Sequence, residues 1–234
     1  MISLAEAADC DGVHPGFGFL SEKASFAEKI EKSGLTWVGP SYKSIQQMAS
    51  KAEAREIAAS ASVPLVPGLE NITSNEQIIE LGKSAGYPLL IKAALGGGGK
   101  GMRVVEREED IVAAIERASS EALNSFGDDK IIVEKYIQNP RHVEVQVLAD
   151  KHGTVAILGD RDCSVQRRHQ KIVEEAPATN IHPATREKMH KAAKMLAEKV
   201  NYVSAGTVEF LLDASSDESK EQQFYFLEIG RAHV

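Results

Sequence analysis

Hydrophobic and polar residues along this chain follow two periods, one typical of helices and one typical of strands. In Glu108–Ala122 the apolar residues recur every three or four positions, which places them on one stripe of a helix. In His142–Ala149 valines occupy alternate positions between His142, Glu144 and Gln146, so the pattern predicts a strand with one buried and one polar face. The same criteria predict helices over Ser21–Ser33, Ser44–Ser60 and Arg186–Val200, and strands over Thr36–Val38, Leu89–Lys92, Met102–Val105, Ile131–Ile137, Thr154–Leu158, Thr207–Asp213 and Gln223–Ile229. Most of these strands follow one another as hairpins while helices pack alongside, so the predicted class is mixed α/β.

Proline and glycine divide these elements. Val63–Gly68 contains two prolines, which forbid a helix and interrupt a sheet, so this segment is predicted to be a linker. The helix that follows is predicted to begin at a capping box formed by Thr73 and Glu76. It is predicted to end at Gly86, just before Pro88.

Four consecutive glycines, Gly96–Gly99, are the strongest local signal in the sequence. Their backbone N–H groups carry no side chains that would obstruct an anion, which suits phosphate binding. The P-loop motif fails because Ala94 and Gly101 stand where it requires glycine and serine or threonine. The Rossmann motif fails because the run leads into the strand Met102–Val105 and not into a helix. Two alternatives remain, a flap folded over a nucleotide, which we favour, and a plain hairpin tip.

Lys92 ends the apolar strand that leads into the glycine run. A lysine at such a position needs either a bound anion or a path to water at the sheet edge. Its place beside the glycines favours a phosphate.

Two glutamates lie in the last two predicted strands. A hairpin that is symmetric about the loop Ala214–Gln223 pairs Glu209 directly with Glu228. Directly opposed carboxylates destabilise a sheet unless a positive charge lies between them, and Mg²⁺ shared with nucleotide phosphates is the natural cation. The alternative is a pair of solvent-facing glutamates in a slipped register, because a loop of this length constrains register weakly.

A basic segment, Arg161–Lys171, interrupts this otherwise acidic chain. If it is one extended strand, Arg167, His169 and Lys171 share a face. The apolar residues that follow it predict a place within the fold, against the alternative of a solvated charge run. The polar face of His142–Ala149 likewise could be either part of a site or simply exposed.

Composition narrows the classes of function. The formal net charge of -7 argues against broad nucleic-acid binding, which requires a basic surface. Two cysteines are too few for a disulfide framework and indicate a reducing compartment. No apolar run reaches the ~20 residues that a membrane-spanning helix requires.

Together these motifs resemble biotin carboxylase, a family of ATP-grasp ligases, over nearly the whole chain. The matching blocks are His14–Glu22, Gly96–Met102, Glu134–Tyr136, Asn139–Glu144, Arg161–Lys171 and Ala205–Phe210. Several blocks in the right order are more specific than any single glycine motif. The resemblance implies an ATP-grasp fold with a partial N-terminal biotin carboxylase domain at residues 1–48 and an ATP-grasp domain at residues 49–234, whose lid covers about 65–135.

The resemblance also implies roles for individual residues. These are Lys51 and Lys92 at the nucleotide phosphates; Gly98 and Gly99 in the flap; Glu134, Lys135, Tyr136 and Ile137 in the hinge whose backbone meets adenine; His142, Gln166 and His169 at the nucleotide; Lys171 at bicarbonate, with His169 beside it in the catalytic centre; and Glu209 and Glu228 at the metal. The implied cofactors are ATP and Mg²⁺ or Mn²⁺, with biotin as the carboxyl acceptor. In the implied reaction ATP phosphorylates bicarbonate to carboxyphosphate, and the carboxyl group then passes to biotin.

Partners and compartment follow from the same resemblance. We expect a biotin carboxyl carrier domain, a carboxyltransferase subunit or domain and a homo-oligomer when the protein is complete, with neither nucleic acid nor membrane as a partner. The expected location is the mitochondrial matrix in a eukaryote or the cytoplasm in a bacterium. Acyl-CoA carboxylase α-subunits, such as those for methylcrotonoyl-CoA or propionyl-CoA, look nearest.

The sequence departs from the family at both ends. The family has a strand and a glycine turn upstream of His14, so the first part of the N-terminal domain and any targeting region are expected to be missing. After Glu228 the chain lacks the family's asparagine, arginine and glutamate. We therefore expect residues 228–234 to be an artefactual end, and the fragment to be inactive alone. The rival functions are another ATP-grasp ligase, such as a carbamoyl-phosphate synthetase, and a non-catalytic nucleotide-binding regulator.

Overall fold

The structure is a computed structural model of the 234-residue chain. It describes residues 1–16, 18, 20–49, 51–70, 72–94, 102–167, 170–214 and 220–230, apart from the side chains of residues 49, 51, 52 and 126. The helices are α1 (Ile2–Ala7), α2 (Ala24–Lys32), α3 (Tyr42–Ala49), α4 (Lys51–Ser60), α5 (Asn75–Ala85), α6 (Ile111–Phe126, preceded by a 3₁₀ turn at Glu108–Asp110) and α7 (Pro183–Lys199). The strands are β1 (Gly12–Val13), β2 (Thr36–Trp37), β3 (Gly68–Leu69), β4 (Leu89–Ala93), β5 (Arg103–Val105), β6 (Ile131–Lys135), β7 (Pro140–Ala149), β8 (Val155–Arg167), β9 (Gln170–Glu175), β10 (Ser204–Asp213) and β11 (Phe224–Gly230).

The chain divides into two compact units. The first comprises Met1–Leu65, Pro140–Ser164 and Val173–Val234, and the second comprises Val66–Asn139 and Val165–Ile172. Among the described residues, no helix is both long and apolar enough to cross a membrane.

A five-stranded sheet in the order β11-β10-β7-β8-β9 is the centre of the first unit. One face of this sheet carries alternate apolar residues, such as Val145, Val208 and Phe210, which are fully buried. They form one core with the apolar faces of α4 and α7, including Ala58 and Leu196. The residues between them therefore project from the opposite face, as the alternation in β7 predicted.

A smaller core lies near the N-terminus of the same unit. There β1 and β2 pair in parallel, and Ile30 of α2 and Ile45 of α3 pack with Trp37. The rings of Trp37 and Phe26 meet in a T-shaped contact at a centroid distance of 5.7 Å.

The second unit is built on a four-stranded antiparallel sheet in the order β3-β6-β4-β5. Ile91 and Val133 point from this sheet into a core with Ile78 of α5 and Ile111 and Ala118 of α6. Lys92 and Glu134 lie on the opposite face, because each is adjacent in its strand to one of these core residues, Ile91 and Val133.

Two predicted helical features differ in detail. The helix predicted over residues 44–60 is present as the two helices α3 and α4. The predicted capping box is displaced by one residue, because Ser74 is the N-cap of α5 and its N–H donates to Oε1 of Gln77 (3.3 Å). The N–H of Thr73 donates to the same oxygen of Gln77. Adjacent residues can therefore compete for one capping acceptor.

The linker predicted at Val63–Gly68 is a packed segment. Val63 and Val66 are each only 4% exposed, and the carbonyl oxygen of Pro64 accepts a hydrogen bond from the N–H of Phe226 (2.8 Å). Proline removes a donor but leaves its carbonyl free to accept, so a segment with two prolines can still join the edge of a sheet.

The basic segment is part of the sheet, but not as one extended strand, and Ile172 and Val173, the apolar residues that predicted its place within the fold, are 59% and 52% exposed. It continues β8 well beyond the strand predicted at Thr154–Leu158, and it then enters β9. Arg167 ends β8 and Lys171 belongs to β9, its neighbour in the sheet, so the two residues lie in different strands, and His169 lies outside the described residues.

Candidate functional site

The hairpin of β10 and β11 places Glu209 directly opposite Glu228, which confirms the predicted pairing. On its other side Glu209 pairs with Glu144 of β7, and Glu144 pairs with Arg161 of β8. Four charged residues thus form a transverse row across four adjacent strands. The side chains of this row are three carboxylates and one guanidinium.

A β-bulge brings Glu228 onto the polar face. The pairing shifts by one residue between Glu209 and Phe210, so Leu227 and Glu228 both oppose the same stretch of β10. Phe226 and Ile229 are buried, whereas Leu227 and Glu228 between them are exposed. Without the extra residue, strict alternation from Phe226 would turn Glu228 into the core.

Nearby side chains hold the row in place. Nε2 of His142 lies 2.7 Å from Oε2 of Glu209, and the two side chains are 18% and 13% exposed. Arg161 donates from Nε (2.8 Å) and Nη2 to Oε1 of Glu144, and from Nη1 to Oε1 of Gln146 (2.9 Å). Glu144 is fully buried. A buried ion pair is stable only when additional hydrogen bonds satisfy its remaining donors and acceptors, as the bond from Arg161 to Gln146 does here.

Glu144 and Arg161 were not assigned to the site from the sequence. The alternation in β7 placed Glu144 on the polar face, but Arg161 becomes its partner only through the register of two strands. Arg161 also lies 3.5 Å from a carboxylate oxygen of Glu174. Glu144, Cys163 and Glu174 approach one another closely enough to ligate an ion, but Arg161 already contacts both carboxylates, so we assign no metal to this group.

A different carboxylate anchors the opposite face of the same sheet. Asp160 accepts hydrogen bonds from Nη1 of Arg186 (2.9 Å), from Nε2 of His190 (2.8 Å) and from the N–H of Ala178 (3.0 Å). Burial by itself raises the pKa of Asp160, but the hydrogen bond from His190 and the charge of Arg186 outweigh it, so the pKa lies below its ordinary value. This cluster ties β8 to α7 and supports the row from behind.

In the second unit Lys92 forms an ion pair with Oε2 of Glu134. Lys92 pairs with Ile132 across β4 and β6, and Leu90 pairs with Glu134, so the two charged side chains are diagonal neighbours on one face. The Lys92 side chain is 31% exposed and that of Glu134 is 9% exposed. A partly exposed ammonium on the face opposite the core is available to an anionic ligand.

The predicted hinge, Glu134–Ile137, follows directly on this ion pair. The N–H of Lys135 donates to the carbonyl oxygen of Pro67 (2.8 Å), and that of Tyr136 donates to the carbonyl oxygen of Pro88 (3.0 Å). Within the described part of the chain, the N–H of Ile137 has no hydrogen-bond partner, although the residue is only 8% exposed. A backbone N–H that makes no hydrogen bond within the fold is suited to bind an acceptor from a ligand.

The side chain of Lys135 does not share the Lys92 face. Its Nζ donates to the carbonyl oxygens of Gly86 and Tyr87, both at 2.9 Å. The hinge therefore presents its backbone, and not this lysine, toward any ligand on the Lys92 face.

For the other predicted site residues the structure gives at most their position in a strand or helix. Gln166 lies in β8 and Lys171 in β9. Lys51 begins α4, but its side chain lies outside the description. Gly98, Gly99 and His169 are outside the described residues.

Two family profiles match the chain. One is the biotin carboxylase, N-terminal domain, over residues 1–45, and the other is the carbamoyl-phosphate synthase L chain, ATP binding domain, over residues 50–232. The domain division at residue 48 and the lid over residues 65–135 stay predictions.

Curated relatives are biotin-dependent carboxylases. Biotin carboxylase 1 of Bacillus subtilis is 46% identical over 231 residues, which are 98% of this chain and 50% of the relative. Methylcrotonoyl-CoA carboxylase subunit alpha of Dictyostelium discoideum is 46% identical, and pyruvate carboxylase of Bacillus subtilis is 45% identical, again over 98% of this chain but over 32% and 20% of those proteins. The chain spans half or less of the length of these relatives. Because their identities are so similar, they do not separate an acyl-CoA carboxylase from a pyruvate carboxylase.

Solved structures agree. A biotin carboxylase complex with β,γ-ATP from Campylobacter jejuni superposes with a TM-score of 0.83 at 45% identity, covering 100% of this chain and 51% of that one. The biotin carboxylase domain of 2-oxoglutarate carboxylase from Hydrogenobacter thermophilus, bound to MgADP, ADP and bicarbonate, gives a TM-score of 0.81 at 42% identity, with 100% and 51% coverage. These likenesses confirm the predicted mixed α/β ATP-grasp fold.

One profile carries the name of carbamoyl-phosphate synthase, but the N-terminal profile and these relatives do not favour that alternative. The fold, the two profiles and the relatives agree on one assignment. This chain belongs to the biotin carboxylase family of ATP-grasp proteins.

Proposed function

We propose that this chain binds ATP with Mg²⁺ or Mn²⁺ and serves the biotin carboxylase step of a biotin-dependent carboxylase. In that step bicarbonate attacks the terminal phosphorus of ATP, ADP leaves and carboxyphosphate forms. The carboxyl group then passes to a ureido nitrogen of biotin, and the released phosphate takes up the proton of that nitrogen. The observation that carries the proposal is the opposition of Glu209 and Glu228 on the polar face of a sheet whose fold is that of the family.

The metal residues in this proposal are Glu209 and Glu228. Their donors are carboxylate oxygens, which are the ligands that Mg²⁺ prefers, and their direct opposition is unfavourable without a cation. A bound Mg²⁺ would neutralise phosphate charge and orient the phosphates. His142 is hydrogen-bonded to Glu209 and would hold that carboxylate in position. In this proposal His142 also contacts the nucleotide.

The nucleotide residues of the proposal belong largely to the second unit. Lys92 would donate to phosphate oxygens, and the N–H of Ile137 would donate to an adenine nitrogen, with the carbonyl oxygens of the hinge available to the adenine amino group. The further contacts proposed are Lys51, Gly98, Gly99, Gln166 and His169. Lys171 would hold bicarbonate, because an ammonium both binds the anion and stabilises charge that develops during its phosphorylation.

The proposal extends to partners known only by family. A biotin carboxyl carrier domain would deliver the acceptor, a carboxyltransferase would consume carboxybiotin, and the complete protein would form a homo-oligomer. The proposed compartment is the mitochondrial matrix in a eukaryote or the cytoplasm in a bacterium.

A segment exchange tests the proposed function. Residues 1–228, which contain every proposed site residue, replace the matching segment of biotin carboxylase 1 of Bacillus subtilis, their 46% identical relative. We expect the chimera to turn over ATP only with bicarbonate and to carboxylate free biotin, and the Glu209→Gln chimera to lose this activity. A folded chimera that binds ATP without bicarbonate-dependent turnover would instead favour the regulatory alternative.

A further inference from the structure

Lys135 ends β6, next to the ion pair that Glu134 forms with Lys92, yet it faces the other way. Successive residues of a strand point to opposite sides, so Lys135 shares the side of β6 on which Val133 is buried against α5 and α6. There its Nζ meets the carbonyl oxygens of Gly86 and Tyr87, each at 2.9 Å.

These carbonyls lie at the end of α5, where Gly86 is the C-cap. The carboxyl end of a helix attracts cations because its carbonyl groups and its dipole are negative. The turn is itself firmly packed: a Cβ added to Gly82 would lie 2.4 Å from the ring of Tyr87, which shows that the ring is seated directly on the helix backbone. The Lys135 ammonium is therefore bound to a rigidly packed turn at the end of α5.

The backbone of the hinge is held by the same turn. The N–H of Tyr136 donates to the carbonyl oxygen of Pro88 (3.0 Å), one residue beyond the carbonyls that accept from Lys135. Three hydrogen bonds thus connect residues 135–136 with residues 86–88. Ile137, whose N–H has no partner within the described residues, comes directly after this connection.

We propose that Lys135 is a positioning residue for adenine recognition. Its side chain binds no part of the nucleotide, but through the Gly86 and Tyr87 carbonyls it holds the hinge so that the N–H of Ile137 meets its acceptor. This inference rests on the proposed function, since it assigns the hinge to adenine.

The test compares Lys135→Met with Lys135→Arg and Lys83→Met in the full chain. Methionine keeps the length of the side chain and removes the donor, whereas arginine keeps a donor. Lys83 lies exposed in the last turn of the same helix, so its replacement changes charge at the same helix end without touching the hinge. Calorimetry measures the affinity for ATP and for tripolyphosphate, which lacks adenine.

We expect Lys135→Met to weaken ATP binding roughly tenfold, within the range of coupling between positions in one protein. Tripolyphosphate binding should be unchanged, Lys135→Arg should restore most of the ATP affinity, and Lys83→Met should have no effect. Wild-type ATP affinity in Lys135→Met would overturn the inference, as would an equal loss for tripolyphosphate, which would indicate general damage to the unit.

A second measurement separates this inference from the proposed function. If the unmodified chain binds no ATP, the proposed function fails, and hydrogen exchange then decides the role of Lys135. We expect Lys135→Met to speed exchange at the N–H of Tyr136 about tenfold and Lys83→Met to leave it unchanged. Equal exchange in the two variants would refute the positioning role.

Discussion

Replacement of Lys92 by methionine is expected to weaken ATP binding between about ten- and a hundredfold. The change removes the ammonium and keeps most of the apolar stem. A hydrogen bond to a charged group contributes ~1.5–3 kcal/mol, and each ~1.4 kcal/mol is a factor of ten in affinity. Lys92 already pairs with Glu134, so a phosphate must share or displace that carboxylate. The expected loss is therefore nearer the lower end of this range.

The same replacement should affect stability. Loss of one partner from a buried ion pair costs about 3–5 kcal/mol. The Lys92 side chain is 31% exposed, so water already screens the pair and the expected cost falls to about 1–2 kcal/mol. Urea unfolding measures this cost, and the affinities are compared at a temperature where both proteins are fully folded, so that the loss of stability does not enter the measured affinity.

Calorimetry with three ligands checks the prediction. ATP and tripolyphosphate should both lose affinity for Lys92→Met, whereas AMP, which has neither of the outer phosphates, should bind as before. Lys83→Met, which removes an exposed lysine of the same unit, is the matched control. Glu134→Gln is the informative companion, because it breaks the ion pair and leaves the ammonium in place. If Glu134→Gln lowers ATP affinity as much as Lys92→Met does, Lys92 acts only by supporting its partner and the reasoning is wrong.

Three further predictions address the first unit. Asp160→Asn should lower the free energy of unfolding by about 3 kcal/mol at pH 7. Because the pKa of Asp160 is lowered in the folded protein, this contribution is present above its ordinary pKa of about 4, and urea unfolding should show the difference shrink as the pH falls through the folded-state pKa. Gly206→Ala should cost about 1–3 kcal/mol in the same assay, since the added Cβ would lie 2.3 Å from Oη of Tyr202, and an unchanged unfolding midpoint would contradict the packing described. Glu228→Gln should reduce the gain in ATP affinity that Mg²⁺ produces, and Glu187→Gln on the surface of α7 should not; a loss of equal size without Mg²⁺ would argue against a metal role.

The pairing of Glu209 with Glu228 shows how far sequence reasoning reaches. A symmetric hairpin predicted this pair, and the pair is present. Near the loop, however, Leu212 pairs with Phe224, one residue away from the symmetric register. The bulge at Leu227 compensates for that shift. The prediction was thus correct in its outcome, but it did not include the irregularity that produces it, because a bulge depends on how two strands fit together.

The sequence alone determined which residues share a face within one strand and which segments are helices, because those patterns involve neighbours a few positions apart. It also carried the motif order that identifies the family. Only the tertiary structure decided that Arg161 neutralises Glu144, seventeen positions away, and that the Lys135 side chain caps a turn 48 residues earlier instead of facing a ligand. Register, bulges and cross-strand partners depend on contacts between distant segments, and a one-residue shift there exchanges the two faces of a strand.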